Sequence, residues 1–222
     1  MPNYEWRFDV VWENLPFMLE GLGMTLAVAV VAMVAALILG LIVALARLSR
    51  FRVLSIIATV YTEVLRAAPL LVVILWVFYA LPVITGIGMT AYVAACIAYT
   101  LNLSAFLAEV YRSGIMSIDR GQTEAALSTG MTNWQVMRRI VLPQAVQRMI
   151  PPMASFWVGL FKDTSLVALI GVGDLMYRAN SLNYKMFRPM EILTVAALIY
   201  FAVTYPQSLI VNRLAKKYQT AA

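Results

Sequence analysis

The sequence predicts an all-α integral membrane protein of five transmembrane helices, with the N-terminus outside and the C-terminus in the cytoplasm. Three observations carry that expectation. The 222 residues are 62% hydrophobic and only 13% charged, whereas soluble domains average about 45–50% apolar and about 25% charged. Uncharged runs of bilayer-crossing length recur along the chain. The cationic residues also segregate by side once those runs are taken as spans.

The first twenty residues carry Glu5, Asp9, Glu13 and Glu20 against Arg7 alone. That is the reverse of a secretory signal. Trp6 and Trp12 fit an external segment, residues 1–20, lying at a membrane interface. Residues 21–46 hold no charge and form the first span, closed by Arg47, Arg50 and Arg52. Residues 67–108 are an uncharged run too long for one crossing, broken by Pro82, Thr85, Gly86 and Gly88. Two spans result. The second starts near residues 54–59, includes Glu63 and Arg66 three residues apart as a pair within the span, and is kinked at Pro69. The third covers residues 90–108 and ends at Glu109 and Arg112, read as a structural ion pair. Residues 149–172 form one span interrupted by Lys162, Asp163, Thr164 and Ser165. Residues 173–191 are expected to be a loop and 192–211 the last span, followed by Arg213, Lys216 and Lys217.

On this layout eleven Lys and Arg residues lie inside and four outside, which orients the chain. A single transmembrane domain is expected over 21–217, with no internal repeat. The sequence has no histidine and one cysteine, Cys96. That removes the commonest general base, any internal disulfide and any cysteine-based metal cluster. No G-x-S-x-G elbow and no G-x-x-x-x-G-K-[ST] phosphate loop occur, so neither a membrane enzyme nor ATP hydrolysis by this chain is indicated.

Residues 120–143 are the longest polar stretch with helix chemistry. A short helix through Thr123, Glu124, Ala125 and Ala126 ends near Gly130, which can take the left-handed geometry of a helix stop. A second helix starts at Thr132, whose spacing to Gln135 is that of a capping box, and Pro143 limits how far it runs undisturbed. Arg138 and Arg139 on the second helix give a superficial likeness to a DNA-binding helix-turn-helix. Tethering between two spans argues against nucleic acid. The small face favours docking to a cytoplasmic protein, with an amphipathic connecting hairpin as the plainer alternative.

Glu124-Ala125-Ala126, Gly130, Ile140 and Leu142-Pro143 reproduce the EAA---G---------I-LP signature of ABC importer permease subunits. The chain resembles the polar-amino-acid branch of that family, the permeases for histidine, glutamine and glutamate/aspartate. Asn102, Glu109, Arg112-Ser113-Gly114, Gly121-Gln122 and 162–166 extend the resemblance, as does 60–71. One departure is Ala67-Ala68, where relatives often carry glycine–threonine. The resemblance implies a type I importer permease fold in the bacterial cytoplasmic membrane. The chain would be one half of a pore, paired with an identical or paralogous permease subunit. It implies two cytoplasmic ATPase subunits, which would hold the ATP and magnesium, and an extracytoplasmic solute-binding protein that delivers a polar amino acid. No cofactor is expected in this chain.

In that scheme the loop at 113–148 couples to the ATPase through Gly121, Glu124, Ala125, Ala126, Gly130, Leu142 and Pro143. The costly mid-span patch of Lys162, Asp163, Thr164 and Ser165 should face a polar substrate pathway, with Asn102 and Phe106 as partners. An internal Lys162–Asp163 ion pair is the structural alternative. From another class, an ion-coupled secondary transporter would use Glu63 and Asp163 as a proton relay, though five spans without a repeat is an unusual architecture for one.

Overall fold

The computed structural model describes residues 4–219, and those residues are helical with short connections. In chain order the helices are α1 (Asp9–Glu13), α2 (Leu15–Arg47), α3 (Arg52–Ala67), α4 (Leu70–Leu75), α5 (Leu81–Thr85) and α6 (Ala91–Met116). There follow α7 (Arg120–Ser128), α8 (Asn133–Val136), α9 (Leu142–Asp163), α10 (Leu175–Met186) and α11 (Pro189–Gln219). Turns of π-helix join α4 to α5 at Trp76–Ala80 and α8 to α9 at Met137–Val141, and a 3₁₀ stretch, Thr164–Ile170, continues α9.

Four helical stretches are long and apolar enough to cross a bilayer: Leu15–Arg47, Ala91–Met116, Asn133–Ile170 and Pro189–Tyr218. A fifth results if the bent pair Arg52–Ala67 and Leu70–Thr85 counts as one. The break between those two lies at Ala68 and Pro69, as expected of a proline, which lacks the N–H that would close the last turn.

Three features differ from the sequence expectation. Residues 173–191 are not a loop, because α10 occupies most of them. Asp174 caps its start by accepting from the N–H groups of Met176 and Tyr177, and Phe187 ends it with φ of 52°. Leu175, Ala179 and Leu182 are buried at helical spacing. The charged residues at span ends also do not stop the helices: α6 runs through Glu109 and Arg112 to Met116, and α11 begins before Glu191. Finally, Pro143 leaves the long helix continuous. Its missing N–H is absorbed by the π turn beside it, where the Leu142 N–H reaches back five residues to the Met137 carbonyl.

The chain divides into two compact units. The first holds the chain up to Ala32 with Leu70–Tyr99 and Val158–Gln207. Its core joins Val11 and Met18 to Leu175, Ala179 and Leu182 of α10 and to Ile192, Val195 and Ala196 of α11. Gly21 makes the α2–α10 approach possible, since a Cβ there would stand 2.7 Å from the Asp174 carbonyl oxygen. The second unit holds Met33–Pro69, Thr100–Trp157 and the chain from Ser208. Ile118, Ala126, Val136, Val141, Ala145 and Met149 form its polar-end core. Close backbone approach through small residues is how helices associate where lipid removes the hydrophobic drive.

Candidate functional site

Local chemistry builds α7 at both ends. The Asp119 carboxylate accepts from the Gly121 N–H at 2.6 Å, a cap with the D-x-x-Q spacing that Asp119 and Gln122 display. At the other end Gly130 takes φ of 85°, which lets the Met131 N–H bond the Ala126 carbonyl and the Gly130 N–H bond that of Leu127. The next helix restarts at once on the expected capping box. Gln135 N–H donates to the Thr132 hydroxyl at 3.3 Å, and Thr132 N–H donates to the Gln135 side chain at 2.8 Å. Two capped helices thus meet across one left-handed glycine.

The faces of α7 divide the residues singled out by the signature. Ala126 is buried, seated on Val136, Val141, Ala145 and their neighbours. Gly121, Glu124, Ala125 and Gly130 are exposed, as are Leu142 and Pro143 on α9. A shallow cavity of about 520 Å³ opens beside the helix between Asp119, Gly121, Ala125, Thr129 and Ile140. Ala126 anchors the helix, and Glu124 and Ala125 are what it offers outward.

In the same unit Glu109 joins more charges than its spacing suggested. Arg112, three residues on, pairs with it as expected. Arg47 of α2 also reaches it at 2.6 Å with a side chain only 10% exposed, and Arg66 stands 4.0 Å away. The expected Glu63–Arg66 pair is present but loose at 3.9 Å. Arg66 also lies over the Phe106 ring, 5.7 Å from its centroid, while Phe106 packs on Phe156. Nothing local in the sequence signals the Arg47 contact, which joins residues 62 apart.

Asn102 is buried, and its amide donates to the Leu65 carbonyl at 2.9 Å. That carbonyl would bond the N–H of residue 69 in an unbroken helix, and residue 69 is a proline. Asn102 therefore satisfies an acceptor that Pro69 orphans. One residue earlier on α6, the Leu101 carbonyl accepts from the Tyr61 hydroxyl, which also contacts Ser104. Both contacts brace the end of α3 against α6.

The other polar patch belongs to the first unit. Lys162 and Asp163 are exposed where α9 turns into 3₁₀ helix, whereas Thr164 is buried. The Thr164 hydroxyl donates back to the Phe161 carbonyl and that of Ser165 to the Lys162 carbonyl. The Tyr99 hydroxyl donates to the Asp163 carbonyl. Among the described residues no ion pair within 4.0 Å joins Lys162 to Asp163. Consecutive helical residues point apart, which accounts for this.

Two buried carboxylates of that unit escaped the sequence reading. Asp174 caps α10 and accepts from the Tyr200 hydroxyl at 3.3 Å. It lies between the candidate spans, and burial pushes its carboxyl up to about 6. Glu191 is fully buried at the start of α11, accepting from the Tyr4 hydroxyl and from the Arg7 N–H at 3.0 Å, with Arg188 3.7 Å away. On the exposed surface nearby, Arg7 holds the Asp9 carboxyl below its ordinary range through a hydrogen bond of 2.8 Å.

Comparison with known proteins places this arrangement. Residues 36–220 match the family model described as "Binding-protein-dependent transport system inner membrane component". A probable glutamine ABC transporter permease protein of Bacillus subtilis (strain 168), GlnP, is 42% identical over 207 residues, covering 91% of this chain and 94% of its own. YckA of the same strain, a probable amino-acid ABC transporter permease protein, is 38% identical over 216 residues, covering 97% and 95%. A crystal structure of an amino acid ABC transporter with histidines has a chain that superposes with a TM-score of 0.91 at 31% identity, covering 96% of this chain and all of that one. The chain belongs to the family of inner membrane components of binding-protein-dependent transport systems, and is a permease subunit with the fold of an ABC importer.

Proposed function

We propose that this subunit forms half of the pore of an ATP-driven importer for a polar amino acid, and that α7 is the element through which a cytoplasmic ATPase moves it. The observation that carries the coupling role is α7 itself. It is a short helix capped at both ends, seated through Ala126, and offering Glu124 and Ala125 outward. The amino-acid substrate class is supported by the relatives named above.

In this proposal the chain crosses the bacterial cytoplasmic membrane five times, the α3–α5 pair serving as the second crossing. The N-terminal twenty residues lie outside, residues 21–217 form one transmembrane domain, and the 113–148 loop and the C-terminus are cytoplasmic. The positive-inside distribution supports this orientation. A second permease subunit completes the pore, two ATPase subunits bind beneath it, and a solute-binding protein docks outside. Alternating access follows from differential binding: the ATP-loaded ATPase pair and the loaded binding protein favour one state of the pore over the other. The α7 surface, with Gly121, Gly130, Leu142 and Pro143 shaping its flanks, transmits that preference.

Lys162 and Asp163 are exposed charges within an apolar stretch, a placement that lipid disfavours and a polar pathway accommodates. They would meet the carboxylate and ammonium of a zwitterion. The Thr164 and Ser165 hydroxyls, bonded to their own helix, fix the 3₁₀ turn that presents them. Asn102 and Phe106 support the braced end of α3, while Glu63, Arg66, Glu109 and Arg112 hold the neighbouring helices by charge.

The test of coupling is substrate-stimulated ATP hydrolysis in the reconstituted complex. Glu124→Lys, at an exposed position, and Gly130→Pro, which cannot keep a φ of 85°, should both leave the protein in the membrane and abolish stimulation. Normal stimulation in both variants would defeat the proposal. Retention of transport after ATP is removed would instead favour an ion-coupled carrier.

A further inference from the structure

The stretch that follows Lys162 and Asp163 is held in an uncommon form. Thr164–Ile170 is 3₁₀ helix over 7 residues, whereas runs beyond about three or four are uncommon because their hydrogen bonds are poorly aligned. A 3₁₀ helix advances about 2.0 Å and about 120° per residue, against about 1.5 Å and about 100° in an α-helix. Relaxing the whole stretch to α-helix would shorten it by about 3.5 Å and unwind it by about 140°. Lys162 and Asp163 at one end would turn by that amount relative to Asp174 beyond the other.

Both ends of the stretch are fastened from other helices. At its start the fully buried Tyr99 of α6 donates its hydroxyl to the Asp163 carbonyl. The neighbouring Phe161 is also fully buried and meets the Tyr200 ring edge-on, with centroids 6.4 Å apart. At the far end Gly171 closes the stretch with φ of 84°, and the Val172 N–H reaches back to the Val167 carbonyl. Asp174 follows, buried, and accepts from the Tyr200 hydroxyl of α11 at 3.3 Å. The Leu175 N–H donates to the Thr25 hydroxyl of α2, and the Thr25 and Thr164 hydroxyls lie near that of Tyr200. Tyr200 therefore touches both ends, packing on Phe161 and bonding Asp174.

We propose that Tyr99 and Tyr200 are positioning residues for transport: they hold the 3₁₀ form, and with it the directions in which Lys162 and Asp163 present their charges. Tyr99 acts through the Asp163 backbone, and Tyr200 through Phe161 and Asp174. A displacement of this size is far beyond the misplacement that a reacting or binding group tolerates, about 1 Å. The inference rests on the reading of Lys162 and Asp163 as the groups that meet the transported zwitterion, and deepens it.

The test uses the complete permease–ATPase complex with its binding protein in proteoliposomes, and a mixture of radiolabelled amino acids as the transported probe. Replacing tyrosine by phenylalanine keeps each ring and removes only the hydroxyl. Loss of one such hydrogen bond shifts the balance between the 3₁₀ and relaxed forms by about fivefold, and loss of both by about twenty-fivefold. Because Cys96 is buried, Asp163→Cys supplies one accessible thiol on a residue whose backbone carbonyl still meets Tyr99. Its alkylation rate per folded complex should fall by about tenfold in Y99F/Y200F. With Asp163 retained, Y99F/Y200F should also slow uptake at saturating binding protein. Tyr111→Phe is the control, since its hydroxyl likewise bonds a backbone carbonyl, that of Leu37 at 3.3 Å, and both readouts should stay as in wild type. Alkylation unchanged in Y99F/Y200F, or slowed equally by Tyr111→Phe, would overturn the proposal. Asp163→Asn separates the two readings. Wild-type uptake by that variant defeats the substrate-pathway reading itself, whereas impaired uptake there beside wild-type uptake in Y99F/Y200F defeats the positioning role alone.

Discussion

The two compact units hold their inter-helix carboxylates, fully buried in the first and partly exposed in the second, by different chemistry. In the first, Asp174 and Glu191 are satisfied mainly by neutral donors: backbone N–H groups and the hydroxyls of Tyr200 and Tyr4. In the second, Glu109 is held by Arg47 and Arg112, with Arg66 at the margin. Neutral donors fix geometry without supplying charge, and burial outweighs them, so the Asp174 carboxyl remains reluctant to ionise. A carboxylate among guanidiniums depends on every partner. The first arrangement ties helix starts together, and the second ties the ends of α2 and α3 to α6.

The largest expected effect comes from breaking the charged cluster. Glu109→Ala leaves the nearly buried Arg47 and its neighbour Arg112 without an anion, and should cost about 3 kcal/mol. A thermal unfolding series on the purified complex would show it as a marked fall in melting temperature. A fall no larger than that of an exposed substitution would mean the guanidiniums are solvated and the cluster is not structural.

A smaller, pH-dependent effect is expected at Asp174. Its folded-state carboxyl is raised to about 6 from an ordinary value of 3.8. Between those values the folded chain holds a proton that the unfolded chain has lost. Stability from this group is therefore greatest below about pH 4, declines as pH rises, and levels off above about 6, a change of about 2–3 kcal/mol. Asp174→Asn keeps a helix-capping side chain and should remove that slope. Denaturation measured at pH 5 and pH 7.5 for both proteins decides the matter, and an unchanged slope in the variant would count against it.

The smallest effect is at the N-terminal tie. Tyr4→Phe removes one donor from Glu191 while the Arg7 N–H and Arg188 remain, so only a small loss of stability is expected. Limited proteolysis should nick the first residues of the variant faster than those of wild type. Equal rates would show that the tyrosine contributes little to holding the segment.

Much of this organisation was legible in the sequence because it is local. Uncharged runs gave the membrane helices, Gly130 and the Thr132–Gln135 spacing gave the two joined helices, and Pro69 gave the break. The cap at Asp119 and the buried face of α10 were equally local and could have been read from D-x-x-Q spacing and from Leu175, Ala179 and Leu182. The orphaned Leu65 carbonyl follows from Pro69, but the residue that satisfies it, Asn102, comes from another helix. Arg47 with Glu109, and Tyr4 with Glu191, are likewise joined by packing, and no local pattern encodes such pairings. The signature around Glu124 does not say which of its alanines faces inward, which only the packing of Ala126 decides.

The central claim, that the exposed side of α7 is where an ATPase engages, is open to one direct measurement. The chain's single cysteine, Cys96, is buried, so Ala125→Cys provides one accessible thiol. Its alkylation rate should be fast in the isolated permease and strongly suppressed in the permease–ATPase complex. Equal rates in the two preparations, with the ATPase demonstrably bound, would contradict the claim.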